Sequence, residues 1–469
     1  MTNCDLIFQQ VHREQLCQLL ASRKGEERAA YMLFGISDIA KDPWQLTRRV
    51  RYTSYEVIPI PEEDYVSASR RHVTWKTNSF VKLCQRAKQD GLVVAIAHNH
   101  PACTDAFSDQ DDQNERDLYQ LMVNRNGGEH PLVSVLQVGK DTIRARVWNG
   151  PSVPDDCQRI SFIGSGIEVS TIQRDRPKAF LDRQALAFGE DVNAALRDLR
   201  VGVVGCGGTG SPVVHLLARL GVGRIVVLDD DIVETTNLNR LQGATIDDAN
   251  EKTPKVDVMV REVNRMGLGV QVASIRGWVN TPEARDALKS CDVIFGCTDD
   301  HSGRLFLNRF ALFYLIPVID TGLVLMPNES GAPGLQEMAA RGSVLAPSAP
   351  CLVCRKTVNV TRAREEDLRR HSPEEYEALK NEAYVRGSGN PAPAVVTFTT
   401  EAATMAVNEL LQGLVDFRAE GRWAWQRYRR LDRATERVQG AKAIPGCGIC
   451  ADPTIWGRAD IEPFLDRTG

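Results

Sequence analysis

AIAHNHPACTDAFSDQDD, residues 95–112, is the stretch on which the first half of the chain turns: it fits H-x-H-x7-S-x2-D, with His98, His100, Ser108 and Asp111 at fixed offsets. It follows the apolar run Leu92–Ala97, which reads as a buried strand. If that strand continues through His100, period-two alternation puts both imidazoles on one face. Ser108 then reads as a helix N-cap, and Asp111 falls in the first helical turn facing the same point. Two histidines and one aspartate give three ligands and leave a fourth zinc position open. That is a hydrolytic rather than a structural layout. The plain alternative is a polar loop whose histidines bond their neighbours.

This motif resembles that of the JAB/MPN (JAMM) metallopeptidases, which cut isopeptide or peptide bonds after the C-terminal glycine of ubiquitin-like proteins. The resemblance implies that His98, His100 and Asp111 bind zinc and that Ser108 stabilises the oxyanion. It also implies an upstream glutamate as general base. Glu27, leading into the apolar run Ala29–Phe34, is the choice, with Glu26 adjacent and Glu56 and Glu62 as weaker rivals.

At 469 residues, two or three domains are expected. Apolar residues make up 43% and charged residues 25%, the composition of a globular, soluble chain. A net charge of −4 argues against a general nucleic-acid binder. MTNCDLIFQQVHREQ lacks a basic region followed by an apolar one, so no secretory signal is expected. The apolar region Ala311–Met326 is broken by Pro317 and Asp320, against a membrane span. A cytoplasmic location is the expectation. Of 12 cysteines, Cys351/Cys354 and Cys447/Cys450 form two C-x-x-C pairs, read as one tetrathiolate structural zinc site, with redox pairs as the alternative.

The second half contains LRVGVVGCGGTGSPVVHLLARLGVGRIVVLDDD, residues 199–231: strand, glycine turn, helix, strand. Gly205, Gly207, Gly208 and Gly210 let the backbone approach a phosphate, which the helix amino terminus attracts. Asp229, at the next strand end, is placed for a ribose hydroxyl. Alone, this pattern fits NAD binding. Asn237, Arg240, Lys255 and, after an apolar strand, Asp299 with Arg304 beyond change the reading. Converging cations and an acid suit attack on the α-phosphate of ATP, where charge builds up and magnesium must be held.

This set resembles the ThiF/MoeB-type, ubiquitin-activating superfamily over roughly residues 178 to 455. Such enzymes adenylate the C-terminal glycine of a ubiquitin-like protein. The resemblance implies that Asp229 binds ribose, that Asn237, Arg240 and Lys255 address the phosphates, and that Asp299 holds magnesium. Phe180–Gln184 is similar to the family's arginine-bearing lead-in, which makes Arg183 a candidate trans arginine, or else a surface helix residue, and implies a homodimer. Both C-x-x-C pairs fall where this family carries structural zinc.

Many members place a catalytic cysteine after the first C-x-x-C pair, yet no cysteine stands between Cys354 and Cys447. That interval holds a helix-forming stretch, about Arg362–Lys380, and the loop-like RGSGNPAPAV. Adenylation is therefore better supported than a thioester. None of the remaining cysteines, Cys103 and Cys206 included, is singled out.

The expected architecture is α/β: a JAB/MPN-like α+β domain over 1–165, then a Rossmann-like doubly wound adenylation domain over 178–469 with a C-terminal Cys4 zinc site. The region Asn149–Pro177 is the expected boundary, with Ile160–Ile167 able to pair as a last strand of the first domain. The helix-like Ala402–Leu414 and the aromatics Trp423, Trp425 and Tyr428 read as packing. The function expected is zinc-dependent cleavage after the glycine of a ubiquitin-like protein and ATP-dependent adenylation of that glycine, as in bacterial conjugation operons, with a conjugating enzyme as a possible further partner. Sulfur-carrier activation and one domain acting as an inactive docking module are the alternatives, and NAD-dependent redox chemistry ranks last.

Overall fold

The computed structural model describes residues 3–21, 25–101, 105–128, 130–139, 142–172, 178–328, 334–381 and 393–461. Cys103 and most of the RGSGNPAPAV segment lie outside them.

The amino-terminal half runs β1 (Asn3–Gln9), α1 (Gln10–Leu20), β2 (Ala29–Ile39) and β3 (Arg49–Pro59). A small hairpin follows, β4 (Tyr65–Ala68) and β5 (Val73–Trp75), then α2 (Asn78–Asp90), β6 (Val93–His100) and α3 (Asp109–Asn126). β7 (Leu132–Val138), β8 (Thr142–Trp148), β9 (Asp155–Asp156), β10 (Arg159–Ile163) and β11 (Ile167–Thr171) complete it. All but β4 and β5 form one nine-stranded sheet, ordered β11-β10-β1-β3-β2-β6-β7-β8-β9. The end expected at residue 165 falls in the turn between β10 and β11, and the sheet continues to Thr171. The Ile160–Ile167 stretch is thus two antiparallel strands rather than one, because Gly164–Gly166 reverse the chain.

The second half carries α4 (Asp182–Phe188), α5 (Glu190–Asp198), β12 (Arg200–Val204), α6 (Gly210–Leu220) and β13 (Arg224–Leu228). Next come α7 (Ile246–Glu251), α8 (Lys255–Met266), β14 (Gln271–Ile275), α9 (Pro282–Lys289) and β15 (Val293–Gly296). Then follow α10 (His301–Tyr314), β16 (Val318–Pro327), β17 (Leu335–Leu345), α11 (Val360–His371) and α12 (Pro373–Asn381). The last elements are α13 (Val396–Val415), β18 (Gln426–Arg430) and β19 (Thr435–Val438). The sheet order is β14-β13-β12-β15-β16-β17-β18-β19, parallel through β16 and antiparallel beyond. Its inner strands are apolar on both faces, the signature of a parallel sheet covered on both sides. The apolar run from Ala311 is divided between the end of α10 and β16; no helix among the described residues is long and apolar enough to cross a membrane. α13 is core, and Trp423 is buried with its Nε1 donating to the Glu409 carbonyl at 2.7 Å.

Alternation along β1 shows how the halves meet. Cys4, Leu6 and Phe8 face a core shared with α1, whereas Ile7 belongs to the core of the second half. The starts of the second sheet's parallel strands rest on this face. Arg200, opening β12, reaches Asp5 at 3.2 Å; Asp292, just before β15, takes Arg159 at 2.7 Å and Arg51 at 3.2 Å; Trp44 Nε1 donates to the Ile225 carbonyl of β13 at 3.2 Å. These ion-paired side chains are almost fully buried, and each half supplies both signs of charge. The chain then returns: Gly457 accepts from Thr53 Oγ1 at 2.6 Å, and Asp460 N donates to the Ile36 carbonyl at 3.0 Å. A Cβ on Gly35 would lie 2.0 Å from the Gly457 oxygen, so this close approach requires glycine.

Candidate active sites

The first site grows from the end of β6. Its register, Ala29 opposite His98, sets Glu27 just ahead of β2 and beside the histidines. His98 and His100 lie on one face, their rings 5.1 Å apart, both buried. Ser108 is the N-cap of α3: its Oγ donates to Asp111 Oδ2 at 2.8 Å and its N–H to the same oxygen at 2.7 Å. That capping box aims Asp111 at the imidazoles, Oδ1 3.3 Å from His98 Nε2 and Oδ2 3.4 Å from His100 Nε2. Ligands about 2.1 Å from a tetrahedral zinc sit roughly 3.4 Å apart, and one ligand atom from each of His98, His100 and Asp111 lies within 4.8 Å of the others, close enough to share one metal. His98 Nε2 is buried and faces Asp111 Oδ1, as two ligands of one metal would.

Burial pushes Asp111 up, but hydrogen bonds from His100 and His98 outweigh it and hold the carboxyl well below the usual range. Glu27, 4% exposed, moves the other way: burial raises it, and the positive potential of His98 and His100 offsets only part of the rise. Its N–H bonds the Ser69 carbonyl of the β4–β5 hairpin at 2.7 Å. The rival glutamates are committed elsewhere, Glu56 to Arg86 at 2.5 Å and Glu62 to Arg28, both at the surface.

The second site is a cavity of about 580 Å³ at the strand-end edge of the parallel sheet, the edge remote from the first half. Gly205, Gly207 and Gly208 line it. Gly205 adopts φ +91°, and a Cβ there would meet the Cys297 carbonyl at 2.8 Å. Gly210 does not line it: it opens α6 and packs on Gly205, with room for no side chain. Asp229 accepts from Cys206 N at 2.6 Å and from Asp231 N at 2.8 Å, which fixes its carboxylate at the cavity wall. Lys255, at the start of α8, reaches Asp231 at 2.6 Å; burial opposes its charge, and Asp229 and Asp231 more than restore it. Asn237, Arg240 and Asp299 also face the cavity, while Arg304 is held by Asp320 at 3.0 Å. Arg183 is exposed on α4 and lies outside the cavity of its own chain.

Sequence reasoning missed Trp278 and Arg370, which also line the cavity, and the pairing of Asp231 with Lys255. Asp231 stood in the acidic run after β13, but nothing local marked Arg370, which arrives on α11 from 140 residues away to pair with Asp230.

The four C-x-x-C thiols converge. Cys351 Sγ lies 3.7 Å from Cys447 Sγ, and Cys354 Sγ 3.6 Å from Cys450 Sγ, near the roughly 3.8 Å between thiolates on one tetrahedral zinc. The donor set fits a structural metal. Cys206 and Cys297, beside the second cavity, are buried, and burial pushes their thiols up, Cys297 to about 12, away from a reactive thiolate.

Residues 181–448 match the ThiF family, and residues 9–148 match the prokaryotic homologues of the JAB domain. The chain belongs to the ThiF family, with a JAB domain fused ahead of it. It is 31% identical over 166 residues to the SAMP-activating enzyme E1 of Haloferax volcanii, covering 35% of this chain and 56% of that protein. It is 30% identical over 134 residues to the sulfur carrier protein ThiS adenylyltransferase of Escherichia coli, covering 29% of this chain and 53% of the relative. The chain thus spans about half the length of these curated relatives. A crystal structure of E. coli MccB with MccA-N7isoASN aligns over 58% of this chain and 75% of that one, at 20% identity and a TM-score of 0.43.

Proposed function

We propose that this chain adenylates the C-terminal glycine of a ubiquitin-like protein and hydrolyses peptide or isopeptide bonds after that glycine. The observation that carries the adenylation reading is the convergence of the glycine loop, Asp229, Asn237, Arg240, Lys255 and Asp299 on one cavity. Asp229 holds the ribose, Asn237, Arg240 and Lys255 hold the phosphates, and Asp299 holds magnesium while the glycine carboxylate attacks the α-phosphate and pyrophosphate leaves. Arg183 serves the partner subunit's cavity in a homodimer, which fits its exposure on α4. The protein works in the cytoplasm.

His98, His100 and Asp111 hold the catalytic zinc, and the four cysteines hold the structural one. Zinc in the first position supplies Lewis-acid polarisation and a water acidic enough to ionise near neutral pH. Glu27, buried and facing the histidines, takes the proton of the attacking water, and Ser108 steadies the developing oxyanion. The test is the intact mass of a tail-extended ubiquitin-like protein incubated with the enzyme, zinc and Mg-ATP. Asp299→Ala is expected to abolish pyrophosphate release and spare cleavage, and Glu27→Ala to do the reverse. Loss of both activities in either variant sinks the two-site reading.

The similarity to a ThiS adenylyltransferase, with the lack of a cysteine between Cys354 and Cys447, favours a second reading. In it the activated carboxylate belongs to a sulfur carrier and sulfide is the acceptor. A sulfur-donor-dependent thiocarboxylate, without any lysine adduct, selects it.

A further inference from the structure

α11 is tied to the nucleotide cavity along its length. Its N-cap Asn359 donates its N–H to His301 Nδ1 at 3.2 Å. Two turns on, Glu366 accepts from the N–H groups of His301 and Ser302 at 2.6 and 2.8 Å, and Asp367 accepts from Ser302 Oγ. At its last turn Arg370 pairs with Asp230 at 2.7 Å, and its guanidinium lies 3.3 Å from the centre of the Trp278 ring. Trp278 follows β14, and its far edge abuts Gly303, where a Cβ would come within 3.1 Å of the ring. Trp278 and Arg370 therefore wall one end of the cavity as two stacked planes, joined to Asp230 beside Asp229.

The same cavity is lined by the glycine loop, Arg240 and Lys255, the groups that suit phosphate. A nucleotide laid with its phosphates there and its ribose at Asp229 sends its base past Asp229 toward Gly277–Val279. We infer that Trp278 and Arg370 form the nucleobase subsite: the indole is the platform for the base, and Arg370, tethered by Asp230, is the planar cap that yields the indole and closes over it. The stacked guanidinium shows that this face accepts a flat, electron-poor group at stacking distance, the chemistry of a purine ring. α11 thereby becomes part of the substrate site, a positioning element supplied by the segment between the two C-x-x-C pairs. This rests on the nucleotide reading proposed above.

The test is calorimetric titration of the full-length protein with Mg-ATP and with magnesium tripolyphosphate, which has phosphates and no base, the latter read directly or by displacement of ATP. Arg370→Lys keeps the charge facing Asp230 and removes the plane; Trp278→Leu removes the platform. Each is expected to weaken ATP about tenfold and to leave tripolyphosphate unchanged. Arg370→Lys alters a side chain one-third exposed, so it keeps the inference testable if Trp278→Leu fails to fold. Unchanged ATP affinity in Arg370→Lys, or equal weakening of both ligands, overturns the assignment. Wild-type protein that does not bind ATP at all overturns the nucleotide reading, and the subsite with it.

Discussion

Single side chains set the chemistry of both sites, and Lys255 is the sharpest case. It is buried, its charge is sustained by Asp229 and Asp231, and it faces the space where phosphates would lie. Lys255→Met leaves behind the mostly exposed Asp231 and an Asp229 that keeps the N–H groups of Cys206 and Asp231, so the fold tolerates it. Turnover in ATP–pyrophosphate exchange is expected to fall about 10²-fold or more, the loss typical of one preorganised charge-stabilising group. Asp292 is the counterpart for stability. Its carboxylate answers Arg51 and Arg159 in the seam, which hold it below the usual range against the upward push of burial. Asp292→Ala strands two buried guanidiniums and should cost about 3–5 kcal/mol in thermal unfolding. The meeting of His98, His100 and Asp111 was legible in the sequence because the three stand at short, fixed offsets across one strand end and one helix start, whereas Glu27, Lys255 and Asp299 lie far along the chain and were chosen by resemblance. Asp292, Arg51 and Arg159 gave no such sign: they meet across 133 and 241 residues, and a lone charge beside an apolar strand reads as surface.

At the scale of elements, α1 adds a pH dependence and the cysteine cluster a metal dependence. His12 is buried on α1 with Nδ1 2.9 Å from Ser54 Oγ, and burial pulls its pKa from 6.5 down to about 4. Between those values the unfolded chain binds a proton that the folded chain does not, so stability falls as pH drops through this window, by up to about 3 kcal/mol. Urea midpoints from pH 7 to pH 4 should show that slope in the wild type and a shallower one in His12→Gln. The second C-x-x-C pair anchors the stretch that leads to Gly457–Ile461 and back to β2 and β3. Cys450→Ser is expected to remove one zinc by elemental analysis and lower the melting temperature, while the histidine site keeps its metal. Helices and strands near the glycine turn followed their sequence signals, β12, the turn, α6 and β13 falling in the order read. The β10–β11 hairpin did not, although Gly164-Ser165-Gly166 is a turn signal, because the apolar residues on either side of it read as one strand.

Across the whole molecule, the parallel sheet stands with its strand starts against the amino-terminal sheet and its nucleotide cavity at the opposite edge. β12 spans five residues between those edges, so the cavity begins about 13 Å beyond the seam, and none of the described residues lining it comes from the first half. On the function proposed, the carbonyl exposed by cleavage and the carboxylate that attacks ATP belong to the same glycine. That one carbon atom cannot occupy both places. Between the two steps the tail therefore has to leave the first site and be threaded afresh into the second.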